Sequence, residues 1–143
     1  MAKMLNKKDF DRIRKEIEDS DAKREVLIQT SREVINISKK IIYALHRNDV
    51  KDASSYLKEI ERKKKSLGTN VWLDTNINQV ALQEYAEALC YYHFVKSKKI
   101  PTASSLKIDN ENYLMGLCDL TGELGRRAVN EVIKKNFEQA EQI

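Results

Sequence analysis

The chain has 143 residues, enough for one domain with a hydrophobic core, and nothing in it marks a second, so residues 1–143 are read as a single helical domain. With 34% charged and 41% hydrophobic residues, one proline and four glycines, the composition favours helices over strands. The 26 bases and 22 acids give a net charge of +4, which admits an anionic partner but describes a mixed surface rather than a polycation.

Cys90 and Cys118 both lie in apolar helical runs, where an unpaired thiol behaves as a small hydrophobe, and they make neither a disulfide framework nor a zinc motif. No apolar run approaches the length of a membrane span, and the N-terminus has no apolar signal core. The expectation is a soluble, cytoplasmic chain with no membrane partner.

In chain order, Phe10, Ile13 and Ile17 recur at helical spacing from Lys7 to Asp19, a short amphipathic helix or the first turns of a longer one. Asp21 is a candidate cap for a second segment, in which Ile28, Ile35 and Ile42 recur every seven residues beside Leu27, Val34, Ile41 and Leu45. Arg32, Lys39, Lys40 and Arg47 decorate that segment, as a solvated face or as contacts to an anion. Asn48 and Asp49 supply a turn and cap, and Val50, Ala53, Leu57 and Ile60 mark a third helix running to the Lys63–Lys65 cluster and Gly68. Trp72 lies in the following connection and is expected to anchor it. Asn76 and Gln79 resemble a capping box opening a fourth helix, which Pro101 must follow. A polar link then leads to a fifth helix capped by Asp109 or Asn110. No strand alternation or repeat is present, and the fold is expected to be all-α, an antiparallel bundle of about five to six helices.

The last two helices carry the chemistry. Glu84 and Glu87 are three apart, and Asp119 and Glu123 four apart, so at about 100° per residue each pair shares one helix face. Glu84 sits amid Val80, Ala88, Tyr91 and Val95, while Leu82, Ala86 and Leu89 line the far side, so this helix is apolar nearly all round and is expected in the interior. A lone buried carboxylate would lose its charge, so ionised acids here need cations, and no Lys or Arg lies between Gly68 and Lys96 to supply one locally. On the fifth helix, Gly116, Asp119, Glu123, Arg126 and Asn130 form a polar stripe. Three of the four glycines, Gly116, Gly122 and Gly125, lie in it, each costing about 1 kcal/mol relative to Ala in a helix interior and so suggesting close approach by another backbone or a ligand. The alternative is a solvated charged face with small residues for packing.

Four carboxylates meeting without histidine or cysteine ligands would make an oxygen-only site suited to Mg²⁺ or Mn²⁺. Two such ions about 3.5–4 Å apart activate water and stabilise the leaving oxygen of a phosphodiester, which fits a nuclease. A di-iron carboxylate site uses Glu-x-x-His pairs, and Glu87 stands where that histidine would be. His93 points away from Glu84 by phase, as a structural histidine or a proton donor completed by another subunit. His46 ends the second segment, where it can interact with the helix dipole.

The stretches LQEYAEALCYYHFVKSKKI (82–100) and ENYLMGLCDLTGELGRRAVNEV (111–132) closely resemble the translin family, specifically its catalytic branch, translin-associated factor X. DAKREVLIQTSREVINISKKIIYALHR (21–47) is similar to the same family's first long helix. The resemblance implies an all-helical translin fold that assembles into a hollow oligomer, from one chain or with a translin-like partner subunit, and cleaves single-stranded RNA inside it with Mg²⁺. The resemblance further implies an archaeal type of particle built from one chain, as against eukaryotic particles that mix both subunit types. It places the family's acidic residues on Glu84, Glu87, Asp119 and Glu123. The non-catalytic branch, which binds single-stranded RNA and DNA, lacks this acidic set. On this reading Arg126 contacts the scissile phosphate or pairs with Glu123, and Arg127, Arg32, Lys96, Lys98 and Lys99 are weaker candidates for the nucleic-acid backbone. Family members continue with further helices after DLTGEL, whereas this sequence stops at Ile143, so an exposed apolar face is expected.

Overall fold

The computed structural model describes residues 6–67 and 76–143. The two N-terminal segments read from the sequence are one 40-residue helix, α1 (Lys7–His46). No glycine or proline interrupts it, and Asp21 sits exposed in its interior rather than capping a new start. The cap is Asn6, whose side chain accepts from the Lys8 N–H at 3.1 Å. From Lys7 to Val26 every residue of α1 is exposed, Phe10, Ile13 and Ile17 included. That half is held by its own hydrogen bonds and by solvent-screened pairs such as Arg12 with Asp9 and Glu16, which add little.

Packing begins at Leu27. The central seam is Leu27, Val34 and Ile41, joined by Ile37, Ile42 and Leu45, while Ile28 and Ile35 lie at its edge. After a turn through Asn48 in the left-handed region (φ 60°), Asp49 caps α2 (Val50–Ser55) by accepting from the Asp52 N–H at 2.9 Å. The single third helix expected here is two, because the Tyr56 N–H reaches Ala53 O, three residues back, and the chain restarts as α3 (Leu57–Ser66). α3 returns antiparallel to α1, with Lys63 paired to Glu33 and Leu67 near Leu27. Lys64 donates to the carbonyls of Leu106 and Lys107, so two of the three clustered lysines have structural partners. Gly68 and Trp72 lie outside the described residues.

α4 (Ile77–Ser97) is the central helix, packed on α1 and on α6 (Asn110–Ile133). Asn76 holds its N-cap position without a side-chain cap bond, so the capping box is not formed. α4 stops before Pro101, where Lys98 turns left-handed (φ 55°) and its N–H bonds Phe94 O at 2.8 Å. The link to α6 contains a short helix, α5 (Ala103–Leu106), started by Thr102 and anchored by buried Leu106. Of the two caps considered for α6, Asp109 is the one used, accepting from the Asn112 N–H at 2.9 Å. α7 (Phe137–Glu141) follows. The described residues contain no strand, and the all-α class is observed.

Gln83 meets Asn112, Gly116 meets Ala86, and His46 lies by both Tyr91 and Glu123. The three long helices therefore share one direction, with α2–α3 and the 98–109 link as return legs. Of the three helical glycines, only Gly116 shows the expected close approach: a Cβ there would stand 2.6 Å from Ala86 Cβ and 2.7 Å from Gln83 O, whereas Gly122 and Gly125 have nothing within 4 Å. The expected apolar surface is present along α6 and α7, where Leu114, Met115, Val129, Val132, Ile133 and Phe137 are exposed.

These environments separate the glycines experimentally. Gly116→Ala should lower stability by about 1–3 kcal/mol through overpacking, while Gly125→Ala should raise it by about 0.5–1 kcal/mol through helix propensity. Urea unfolding midpoints of the two variants check the opposite signs.

Candidate functional site

α4 and α6 bring the two acid pairs to one place. Glu84, Glu87, Asp119 and Glu123 line a single open pocket of about 400 Å³, together with Arg126 from α6 and Lys39, Ile42 and Tyr43 from α1. Glu87 is buried, Glu84 and Glu123 are half-buried, and Asp119 is exposed at the mouth. Burial pushes the Glu87 carboxyl up to about 7, with further upward pressure from Glu84, Asp119 and Glu123 and a small opposing pull from Lys39. Glu84 is raised in the same way, by burial first, with Lys39 opposing. The pocket thus holds more negative charge than its own cations balance. Its donors are all hard oxygens, the set that suits Mg²⁺ or Mn²⁺. Among the described residues, however, no three His, Cys, Asp or Glu side chains converge closely enough to hold one ion between them.

Glu123 is tied to α1. Its Oε2 is hydrogen-bonded to His46 Nε2, and Tyr91 Oη lies 3.4 Å from His46 Nδ1. His46, expected only to meet the helix dipole, therefore joins α1 to the acidic stripe. Arg126 has no ion-pair partner among the described residues, so the intrahelical pair with Glu123 is not formed and its guanidinium stays at the pocket. Lys39 supplies the cation that could not be found within α4 itself.

The remaining basic candidates stand elsewhere. Arg127 is committed to structure: Nη1 donates to Leu45 O at 3.0 Å and Nη2 to Asn48 Oδ1 at 2.9 Å, tying α6 to the end of α1. Two of its donors therefore reach the end of α1, where the Leu45 carbonyl also accepts from the Asn48 N–H at 3.0 Å, rather than the acidic pocket. Lys96 lies over the Tyr92 ring and Lys98 over Phe94, near the end of α4, about 13 Å along the axis beyond Glu87. Lys99 and Arg32 are exposed and do not line the pocket. His93 is half-buried, edge-on to Tyr92, and does not line the acidic pocket.

The translin family model matches residues 22–143. The chain belongs to the translin family. It is 32% identical over 125 residues to an uncharacterised protein from Methanocaldococcus jannaschii, covering 85% of this chain and 56% of that protein. It is 28% identical over 144 residues to the translin-associated protein X homolog of Schizosaccharomyces pombe, covering 87% and 62%. A chain in the crystal structure of apo-NeC3PO superposes with a TM-score of 0.85 at 30% identity, covering 97% of this chain and 77% of that one. This translin-family chain thus spans about 56–62% of the length of those two curated relatives.

Two consequences are measurable. Glu87 and Glu84 both hold their protons more tightly in the folded state, so it binds extra protons above the ordinary value of 4.5, in the case of Glu87 up to about 7. In EDTA, stability should therefore fall as pH rises through this window, and Glu87→Gln should flatten the fall; urea midpoints from pH 5 to pH 8 read it. Arg127→Ala should cost about 1–3 kcal/mol by leaving Leu45 O and Asn48 without their charged donor, seen as a lower melting temperature.

Proposed function

We propose that this chain is a metal-dependent endoribonuclease subunit acting on single-stranded RNA, with Mg²⁺, or Mn²⁺ in its place, as cofactor. The observation that carries the reading is the shared pocket: two acid pairs from adjacent helices face the same space, and a cation is what would let all four ionise. Mg²⁺ keeps several waters and takes one or two carboxylates in such sites, so four acids spaced around an open pocket suit a hydrated ion better than a closed protein cage would. Glu84, Glu87, Asp119 and Glu123 are the residues that would hold it. When bound, the ion supplies a more acidic water and charge stabilisation at a phosphoryl oxygen.

The chain's own residues account for the rest. Arg126, exposed and without an ion-pair partner among the described residues, is placed to take a backbone phosphate at the pocket edge. Lys39, on the opposite helix, can take the neighbouring phosphate, and Tyr43, half-exposed beside it, offers a ring face to a base without selecting among bases. Recognition through phosphates and stacking gives loose sequence preference and salt-sensitive affinity. The named relatives, translin-associated protein X among them, support this branch of the family. The exposed apolar face of α6 and α7 supports assembly with further copies or with a translin-like partner subunit.

A second reading is a non-catalytic subunit that binds single-stranded RNA or DNA, favoured by the absence of three converging carboxylates among the described residues. Cleavage of a labelled single-stranded RNA with Mg²⁺, with EDTA and with Asp119→Asn separates the two. The nuclease reading expects cutting that requires the ion and disappears in the variant. A folded protein that binds the RNA in Mg²⁺ and leaves it whole establishes the second reading instead.

A further inference from the structure

We propose that His46 is a positioning residue for the acidic site: it turns Glu123 so that one carboxylate oxygen is held in the protein and the other faces the pocket. The inference rests on the metal reading above and adds a residue from a third helix to it. His46 is the last residue of α1, and its side chain is 9% exposed against 23% for Glu123. Glu123 Oε2 is taken by His46 Nε2, and Glu123 nevertheless lines the acidic pocket.

The chemistry of the contact fixes the imidazole. A carboxylate only accepts, so Nε2 carries the proton and donates it to Glu123. On the other side of the ring the Tyr91 hydroxyl lies 3.4 Å from Nδ1, with the two rings 5.3 Å apart at 50°. Tyr91 is wholly buried on α4, so it cannot swing away. One residue before His46, the Leu45 carbonyl receives Arg127 from α6, which holds the end of α1 against the helix that carries Glu123. Each long helix thus contributes one member of a Tyr91–His46–Glu123 relay. Carboxylates that serve a metal are held by outer hydrogen bonds of this kind, and losing such a bond weakens metal affinity by about 10- to 100-fold.

The test uses the full chain, with Mn²⁺ as the probe. Binding is read from the loss of the free-ion electron paramagnetic resonance signal, for the wild type, His46→Ala, His46→Gln and Glu87→Ala, each checked by its melting curve. His46→Ala should weaken Mn²⁺ binding about 10- to 100-fold. His46→Gln should recover most of it, because an amide nitrogen can donate to Glu123 while its oxygen accepts from Tyr91. Long-range ¹H–¹⁵N spectra of the metal-free protein should show His46 as the Nε2–H tautomer, with mixing of tautomers in Glu123→Ala. Wild-type affinity in His46→Ala, a His46→Gln no better than His46→Ala, or an Nδ1–H tautomer each overturns the inference. If Glu87→Ala loses the ion while His46→Ala keeps it, the metal reading stands and the positioning role fails. If the wild type takes up no Mn²⁺, both fail, and the tautomer spectrum then reports only a structural contact.

Discussion

Helices α4 and α6 touch where Gly116 lies against Gln83, Ala86 and the backbone of Glu87, and the placement of the acids follows from that contact. Any side chain at 116 would meet Ala86 Cβ and a carbonyl oxygen, so the two helices can approach this closely only with hydrogen at that position. Glu87 is the next residue after Ala86, and Asp119 lies one turn beyond Gly116. A seam built for close packing thus sets two acid pairs side by side. The Gln83–Asn112 bond fixes the register one turn earlier, and Arg127 fixes it again at the end of α1. The carboxylates sit between two structural clamps that make no use of them.

That arrangement is costly in charge, and the surrounding helices moderate the cost without removing it. Lys39 pulls Glu84 and Glu87 toward ionisation, but burial and mutual repulsion prevail, and Glu87 is held near 7. His46 engages Glu123 from beneath, and Arg126 stands at the edge without closing on any acid among the described residues. A chain selected for stability alone could neutralise these groups by swinging Arg126 in or by replacing Glu87 with an apolar residue of similar size. Unrelieved repulsion among carboxylates at a pocket is a pattern that recurs at functional sites.

The acid pairs were legible because each lies on a helix whose other positions already declare burial: Glu84 sits amid Val80, Ala88 and Tyr91, and Asp119 and Glu123 follow Gly116 on one stripe. Helix class was legible for the same reason, from spacing alone. Boundaries were not. Asp21 has the chemistry of a cap yet lies within α1, because nothing on either side breaks the helix, and Tyr56 divides α2 from α3 through one shortened hydrogen bond that has no composition signal. The contributions of α1 to the site were missed although their pattern is plain in retrospect: Lys39, Ile42, Tyr43 and His46 follow the i, i+3, i+4, i+7 spacing of a single face. Spacing shows that these residues share a face and leaves open which helix the face meets. That is a tertiary fact, as are the bonds Arg127 makes to the end of α1.

The charge count in the pocket links proton and ion under the proposed reading. Four ionised carboxylates against Lys39 and Arg126 leave two negative charges uncompensated when His46 is neutral. One proton on Glu87 removes half of that excess; one divalent ion removes all of it. The two therefore compete for the same carboxylate, and binding of the ion must release whatever proton Glu87 still carries. Because Glu87 is poised near 7, changes in local charge shift this competition, and the cation that acts on it is Lys39 of α1. Under that reading the first long helix, which carries none of the four acids, contributes through Lys39 to how tightly the other two would hold a cation.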